Sequence, residues 1–182
     1  MSISEQTYQQ VALEDPDGQW ELVCGRLRNK PTMTTEHEDV ARNLIHYLAV
    51  QLNLQEFSVG MGSPKLRVST GSYYLPDVCV VPRAFVRRMR ETPGLFEVYN
   101  DPMPLVVEVW SPSTGEYDVK DKLAEYQRRG DQEIWLIHPY ERTLAAWRRH
   151  PDGSYTESLY RDGTVRPEAL PAVEIELQRL FE

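Results

Sequence analysis

Apolar positions along this chain recur with two spacings, and the switches between them lay out the elements. Trp20-Glu21-Leu22-Val23-Cys24 alternates as a short strand, and Gly25-Arg26-Leu27 turns it back as a hairpin. Residues 1–19 are polar and close in a turn, Asp15-Pro16-Asp17-Gly18. Val40, Ala41, Leu44, Ile45, Leu48 and Leu52 recur at helical spacing. Thr35-Glu36-His37-Glu38 has the S/T-x-x-E spacing of a capping box, so the helix is predicted from Thr35 through Gln55. Phe57–Met61 and Lys65–Val68 read as strands, and the apolar run after Pro76-Asp77 reads as a strand buried on both faces. A short helix carries Arg83, Arg87, Arg88 and Arg90, and a loop through Asn100–Pro104 leads into the strand Leu105-Val106-Val107-Glu108-Val109.

A second helix is predicted from about Tyr117 to Arg129, stopped by Gly130. Then come the strand Glu133–His138, a hairpin into Thr143–Trp147, a strand over Ser154–Leu159, and a tail with a strand and a final helical turn. Strands and helices mix without a strict βαβ rhythm. The fold class is therefore α+β (α/β/α-like): one domain over residues 1–182, with a central sheet flanked by helices.

Composition narrows the setting. Hydrophobic residues make up 41%, ample for a packed core, and no apolar run approaches the ~18 residues that a membrane span needs. No membrane association is expected. The polar start lacks a signal peptide's basic and apolar regions, and two cysteines in apolar surroundings, Cys24 and Cys79, suit free thiols. The expected location is cytoplasmic. A net charge of −8 argues against a protein that grips nucleic acid by bulk electrostatics, yet leaves room for a local basic patch beside a metal site.

Candidate chemistry centres on Glu108. An ionised carboxylate inside an apolar strand needs a cation beside it, because desolvation is costly. Asp77, set at a strand mouth by Pro76, is a natural companion. Lys122, on one helical stripe with Asp118 and Tyr126, is another. Asp77 and Glu108, with the Val109 carbonyl, form a ligand set for a hard cation, Mg²⁺ or Mn²⁺. Such an ion acidifies a bound water and clamps a phosphate, while Lys122 orients the water and offsets charge in the transition state. The spacing of Asp118 and Lys122 equally describes a surface salt bridge. Glu21 reads as a solvent-facing strand carboxylate, with an accessory role as the alternative. His37, in a helical first turn, divides the same way between surface and site. The arginines at 83, 87, 88 and 90 read either as a solvated face or as a phosphate contact.

Pro76-Asp77 followed by Glu108-Val109-Trp110 resembles the PD-(D/E)XK signature of restriction-endonuclease-like nucleases. More narrowly, the chain resembles the Uma-two family of that superfamily. The matching stretches are Trp20-Glu21-Leu22…Gly25, His37 opening a helix, Pro76-Asp77-Val78, Val106–Thr114, Asp118…Lys122…Tyr126, Glu133–Ile137 and the closing Leu170–Phe181. They span nearly the whole chain. The resemblance implies a restriction-endonuclease-like core with the Asp77 and Glu108 strands adjacent in a mixed sheet. It also implies a metal-dependent nuclease; the first hypothesis drawn from the site is an endonuclease acting on nucleic acid, DNA first among substrates, as a homodimer so that two sites address two strands. Where the signature has lysine, two residues after Glu108, this chain has Trp110. The resemblance implies that Lys122 takes over that role. Lys120, the rival, lies about 200° around the helix at ~100° per residue.

Two other readings stay open at this level. The chain is a catalytically inactive relative acting as a binding or regulatory module, which the net charge and Trp110 favour. Or it is a metal-free scaffold with an internal Lys122–Glu108 ion pair.

Overall fold

The computed structural model describes residues 2–31, 33–62, 64–68, 71–91, 96–113 and 121–182. Among them lie five helices and three sheets. Helix α1 (Glu5–Glu14) leads into the hairpin β1 (Trp20–Val23) and β2 (Arg26–Asn29), then α2 (Thr35–Gln51) and β3 (Phe57–Met61). There follow β4 (Lys65–Arg67), β5 (Tyr73–Tyr74), β6 (Val78–Pro82), α3 (Arg83–Glu91), β7 (Val98–Tyr99) and β8 (Leu105–Val109). Helix α4 (Leu123–Arg129) precedes β9 (Glu133–His138), β10 (Thr143–Arg149), β11 (Tyr155–Tyr160), β12 (Thr164–Val165), β13 (Ile175–Glu176) and α5 (Leu177–Leu180).

The single sheet expected from the pattern is two sheets and a small ribbon. The larger runs β11-β10-β9-β8-β6-β3, the second β2-β1-β5-β4-β7, and β12 pairs β13. In the larger sheet β8 and β9 are parallel and every other pair is antiparallel. Val78 pairs with Val107, so Asp77, one step before β6, stands across from Glu108 at the end of β8.

Alternation on the large sheet divides the interior. Val78, Val80, Val107, Val109, Trp135 and Ile137 face α2, whose Val40, Ala41, Leu44 and Leu48 cover them along with α5. Cys79, Val81, Val106 and Ile134 face the other way, against Tyr126 of α4 and against Leu66 and Tyr74 of the second sheet. The far face of that second sheet packs Leu22 and Tyr73 onto Tyr8 of α1. The order is thus helices, large sheet, then α4 beside the second sheet, then α1.

Several local outcomes differ from the sequence pattern. The polar N-terminal stretch forms α1 because Ser4 caps it, accepting from the Thr7 amide, and Tyr8 is buried with its hydroxyl on the Trp20 carbonyl. The cap of α2 is Thr34, one residue ahead of the predicted box; its hydroxyl accepts from the His37 amide at 3.3 Å. That helix stops at Gln51, because Asn53 turns the chain by accepting the Gln55 amide on its side chain and the Phe57 amide on its carbonyl. Cys24 and Gly25 take φ of 48° and 75° as the two central residues of the β1–β2 turn, so Cys24 is exposed rather than apolar-packed. Cys79 is buried, and both thiols are free. Of the second predicted helix, Leu123–Arg129 is α4; residues 114–120, including Asp118 and Lys120, lie outside the described residues. Among the described residues no helix is long and apolar enough to cross a membrane.

Candidate active site

The two sheets meet where the chain passes from β5 to β6 through Leu75-Pro76-Asp77, and charged side chains from four directions converge on that seam. Asp77 arrives from the mouth of β6 and Glu108 from β8. Glu21 comes from β1 and Lys30 from just past β2. Lys122 stands immediately before α4 in helical conformation, and His37 sits in the first turn of α2. All are withdrawn from solvent: Glu21 is 3% exposed, Asp77 6%, Glu108 1% and Lys122 0%. Glu21 therefore belongs to the interior, contrary to the solvent-facing reading. Both faces of β1 are covered, one by α1 and one by the seam, so alternation alone does not reveal which residue meets water.

Two linked clusters result. In the first, the Lys122 ammonium lies 3.0 Å from Glu21 Oε1 and 3.2 Å from Glu108 Oε1. The Tyr126 hydroxyl donates to the same Glu108 oxygen at 2.6 Å, and the Leu75 amide donates to Glu21 Oε1 at 2.9 Å. Lys122 also lies 5.7 Å from the centre of the Tyr74 ring. In the second, Lys30 Nζ donates to Asp77 Oδ1 at 2.6 Å and to the Leu75 carbonyl at 2.9 Å. The other Asp77 oxygen accepts the Val109 amide at 2.8 Å. His37 Nε2 stands 3.0 Å from that oxygen but out of line with it, so its ring makes contact without a well-formed hydrogen bond. The Leu75 backbone joins the clusters, its N–H donating to Glu21 and its carbonyl accepting from Lys30.

These contacts set the protonation states. Burial opposes the Asp77 carboxylate, but the Lys30 ammonium and the contact with His37 outweigh it and hold the carboxyl far below the usual range. Burial likewise opposes the Lys30 ammonium, and the charges of Asp77, Glu108 and Glu21 outweigh it and raise its pKa. Burial, reinforced by Glu108 and Glu21, pushes the Tyr126 phenol well above 10, so it remains a donor.

Asp77, Glu108, Lys122, Tyr126, Glu21, His37 and the Val109 backbone are thus brought together. The arginine group is not. Strand β6 separates Asp77 from α3 by six residues, about 20 Å at ~3.3 Å each. Arg83 spends its guanidinium on the Leu54 and Phe57 carbonyls, and Arg88 pairs with Asp101; Arg87 and Arg90 are exposed. Nothing in the sequence pattern singles out Lys30 from its basic neighbours Arg26 and Arg28; only the pairing of β1 with β2 carries it to the seam.

Among the described residues, no three His, Cys, Asp or Glu side chains are grouped closely enough to hold a metal ion by themselves; Lys122 lies between Glu21 and Glu108, and Lys30 occupies Asp77 Oδ1. The donor set nonetheless suits a hard cation. Its oxygens belong to carboxylates on facing strands, and Mg²⁺ commonly takes one or two such groups and keeps its waters. Three carboxyl groups also face two ammoniums here, so the cluster's formal balance is negative.

Comparison with known proteins agrees with this architecture. A crystal structure described as a "putative nuclease belonging to DUF820", from Anabaena variabilis, superposes with a TM-score of 0.74 at 17% identity, covering 89% of each chain. At that identity the likeness shows a common fold. No curated protein matches the chain. The model of the Uma2 family, described as "Putative restriction endonuclease", matches residues 5–180, and the chain belongs to that family.

Proposed function

We propose that this protein is a Mg²⁺- or Mn²⁺-dependent endonuclease that hydrolyses phosphodiester bonds of nucleic acid, with DNA as its substrate. One observation carries the reading: Glu21, Asp77, Glu108, Lys30 and Lys122 are gathered out of water at the seam of two sheets. Apolar residues of similar volume would hold such a seam at least as well, since desolvating five charges costs more than their pairing readily returns. Perturbed, partnered charges in one place mark a functional site.

In this reading Asp77 and Glu108, with the Val109 carbonyl, hold the cation. Bound there, the ion supplies an acidified water and charge against the phosphoryl oxygens. The chain's own groups do the rest. Lys122, held between Glu21 and Glu108, orients the attacking water and offsets charge that grows on the phosphate. Tyr126 fixes the Glu108 carboxylate through its hydroxyl. Lys30 neutralises Asp77, and a cation taken up at Oδ1 would have to displace its ammonium from that oxygen. Two copies of the chain, one for each strand, would cut a duplex.

Incubating the protein with plasmid and single-stranded DNA, with and without Mn²⁺, tests the reading. Metal-dependent cleavage that Asp77→Ala, Glu108→Ala and Lys122→Ala each abolish is the expected result. Cleavage by Glu108→Ala at the parent rate refutes it.

A second reading is favoured by Lys30, whose ammonium already holds Asp77, and by Trp110 in place of the signature lysine. In it the chain is an inactive nuclease fold serving as a binding or regulatory module. Calorimetric titration with Mn²⁺ separates the two: heat that vanishes in Asp77→Ala belongs to the enzyme, and silence belongs to the module.

A further inference from the structure

Beside the carboxylate cluster, on the same face of the large sheet, lies a cavity of about 270 Å³ whose wall includes Glu108 itself. Strand register builds it. Glu108 pairs with Leu136, and Leu136 with Ala145, so these three side chains form a row across β8, β9 and β10. Two residues beyond Ala145, Trp147 pairs with Glu157 of β11. Leu136, Ala145 and Trp147 make an apolar floor. The end wall is Trp110, whose indole stacks on the His138 ring at 4.4 Å and 17°. Glu141 and Glu157 line the rim, and both are exposed.

Resting on the nuclease reading above, we propose that this cavity receives one unpaired nucleobase bearing an exocyclic amine, from the nucleotide next to the phosphate held at Glu108. A flat apolar floor with an aromatic end accepts a π-face of any base. The rim decides what else is tolerated. Its carboxylates repel a phosphate and accept hydrogen bonds from an amine, which adenine, cytosine and guanine carry and thymine lacks. Shared ownership of Glu108 places the base within one nucleotide of the reacting phosphate. A base inside a duplex has its amine engaged and its faces stacked, so occupancy calls for a single strand or a base swung out of the helix. The aromatic residue at the signature-lysine position thereby acquires a role in substrate selection. Trp110 presents a ring to the base, and the ammonium is delivered from Lys122.

The test titrates the full chain with the 2′-deoxy forms of CMP, AMP, TMP and ribose 5-phosphate, so that only the base differs, following tryptophan fluorescence. CMP and AMP should quench it and bind about tenfold more tightly than TMP, with ribose 5-phosphate weaker still. Ala145→Leu fills the floor without touching the charged cluster and should abolish the quench. Glu157→Gln should bring CMP and TMP within about twofold of each other. Ribose 5-phosphate binding as tightly as CMP, or unchanged CMP binding by a folded Ala145→Leu protein, overturns the proposal. Should Ala145→Leu not fold by circular dichroism, Glu157→Gln alone decides, and undiminished preference for CMP refutes it. Base-dependent quenching in a protein that cuts no DNA supports the cavity while the nuclease reading falls. Cleavage of strands abasic next to the scissile phosphate at the rate of intact ones does the reverse.

Discussion

Lys122 Nζ lies 3.2 Å from Glu108 Oε1 and both side chains are fully buried, so the ammonium shields this carboxylate, and that of Glu21 at 3.0 Å, against desolvation. Removing the ammonium leaves Glu108 and Glu21 facing each other in a medium that tolerates neither. Lys122→Met should therefore destabilise the fold by about 3–5 kcal/mol. It should also abolish cleavage under conditions where the variant is still folded. Urea denaturation gives the first number and a plasmid assay the second. A loss below about 1 kcal/mol would place the pair in the range of exposed salt bridges and contradict the burial argument.

Lys30 makes the opposite prediction for metal. Its ammonium donates to Asp77 Oδ1, an oxygen that the proposed cation also needs. Lys30→Met should lower stability without metal by roughly 3 kcal/mol, because a buried carboxylate loses its partner. A cation that takes the vacated place restores stability by mass action. The rise in melting temperature with Mn²⁺ should thus be larger in Lys30→Met than in the parent. A smaller rise means that the ammonium and the ion do not compete.

How much of this was legible beforehand depends on which link each residue sits on. Glu108 was conspicuous because a carboxylate inside an apolar strand violates the local pattern, and Asp77 because Pro76 breaks its strand there. Lys122 followed from helical spacing and the family resemblance. Glu21 reads as solvent-facing first and as an accessory residue second, because period-two alternation says that a strand has two faces, not what covers each. Lys30 was invisible because its position depends on the β1–β2 hairpin docking against the β5–β6 crossing, a long-range event without a local signature. Arg83 shows the converse. A run of arginines suggests either phosphate contacts or a solvated face, yet the Arg83 guanidinium ties the Leu54 carbonyl and that of Phe57 at the start of β3, at the end of β6 away from Asp77.

Asp77 carries the pH dependence. Its carboxyl pKa is depressed in the folded chain below the unfolded value of about 3.9, so on acidification the unfolded chain takes up the proton first. The stability it contributes is fully present above about pH 5 and is lost as pH falls below about 4. Asp77→Asn has no such titration. The difference in urea midpoint between parent and Asp77→Asn should be greatest near neutrality and shrink toward pH 3. A difference that stays constant over that range would show that Lys30 and His37 do not hold the carboxylate ionised.

Tyr126 tests whether the orientation of Glu108 matters apart from its charge. The phenol donates to Glu108 at 2.6 Å, and its raised pKa keeps that proton in place at any working pH. Tyr126→Phe removes one oxygen and leaves the ring against Tyr74, an edge-on contact 6.0 Å between centres. A hydrogen bond to a charged group is worth about 1.5–3 kcal/mol, so stability should fall by that much, with packing preserved. Lys122 still balances the Glu108 charge in this variant. If the carboxylate needs only charge balance, cleavage per folded molecule will be unchanged. If it must be aimed at the ion, the Mn²⁺ concentration for half-maximal cleavage will rise several-fold. The proposed site requires the second result, because a freely turning carboxylate loses the fixed donor direction that a hard cation selects.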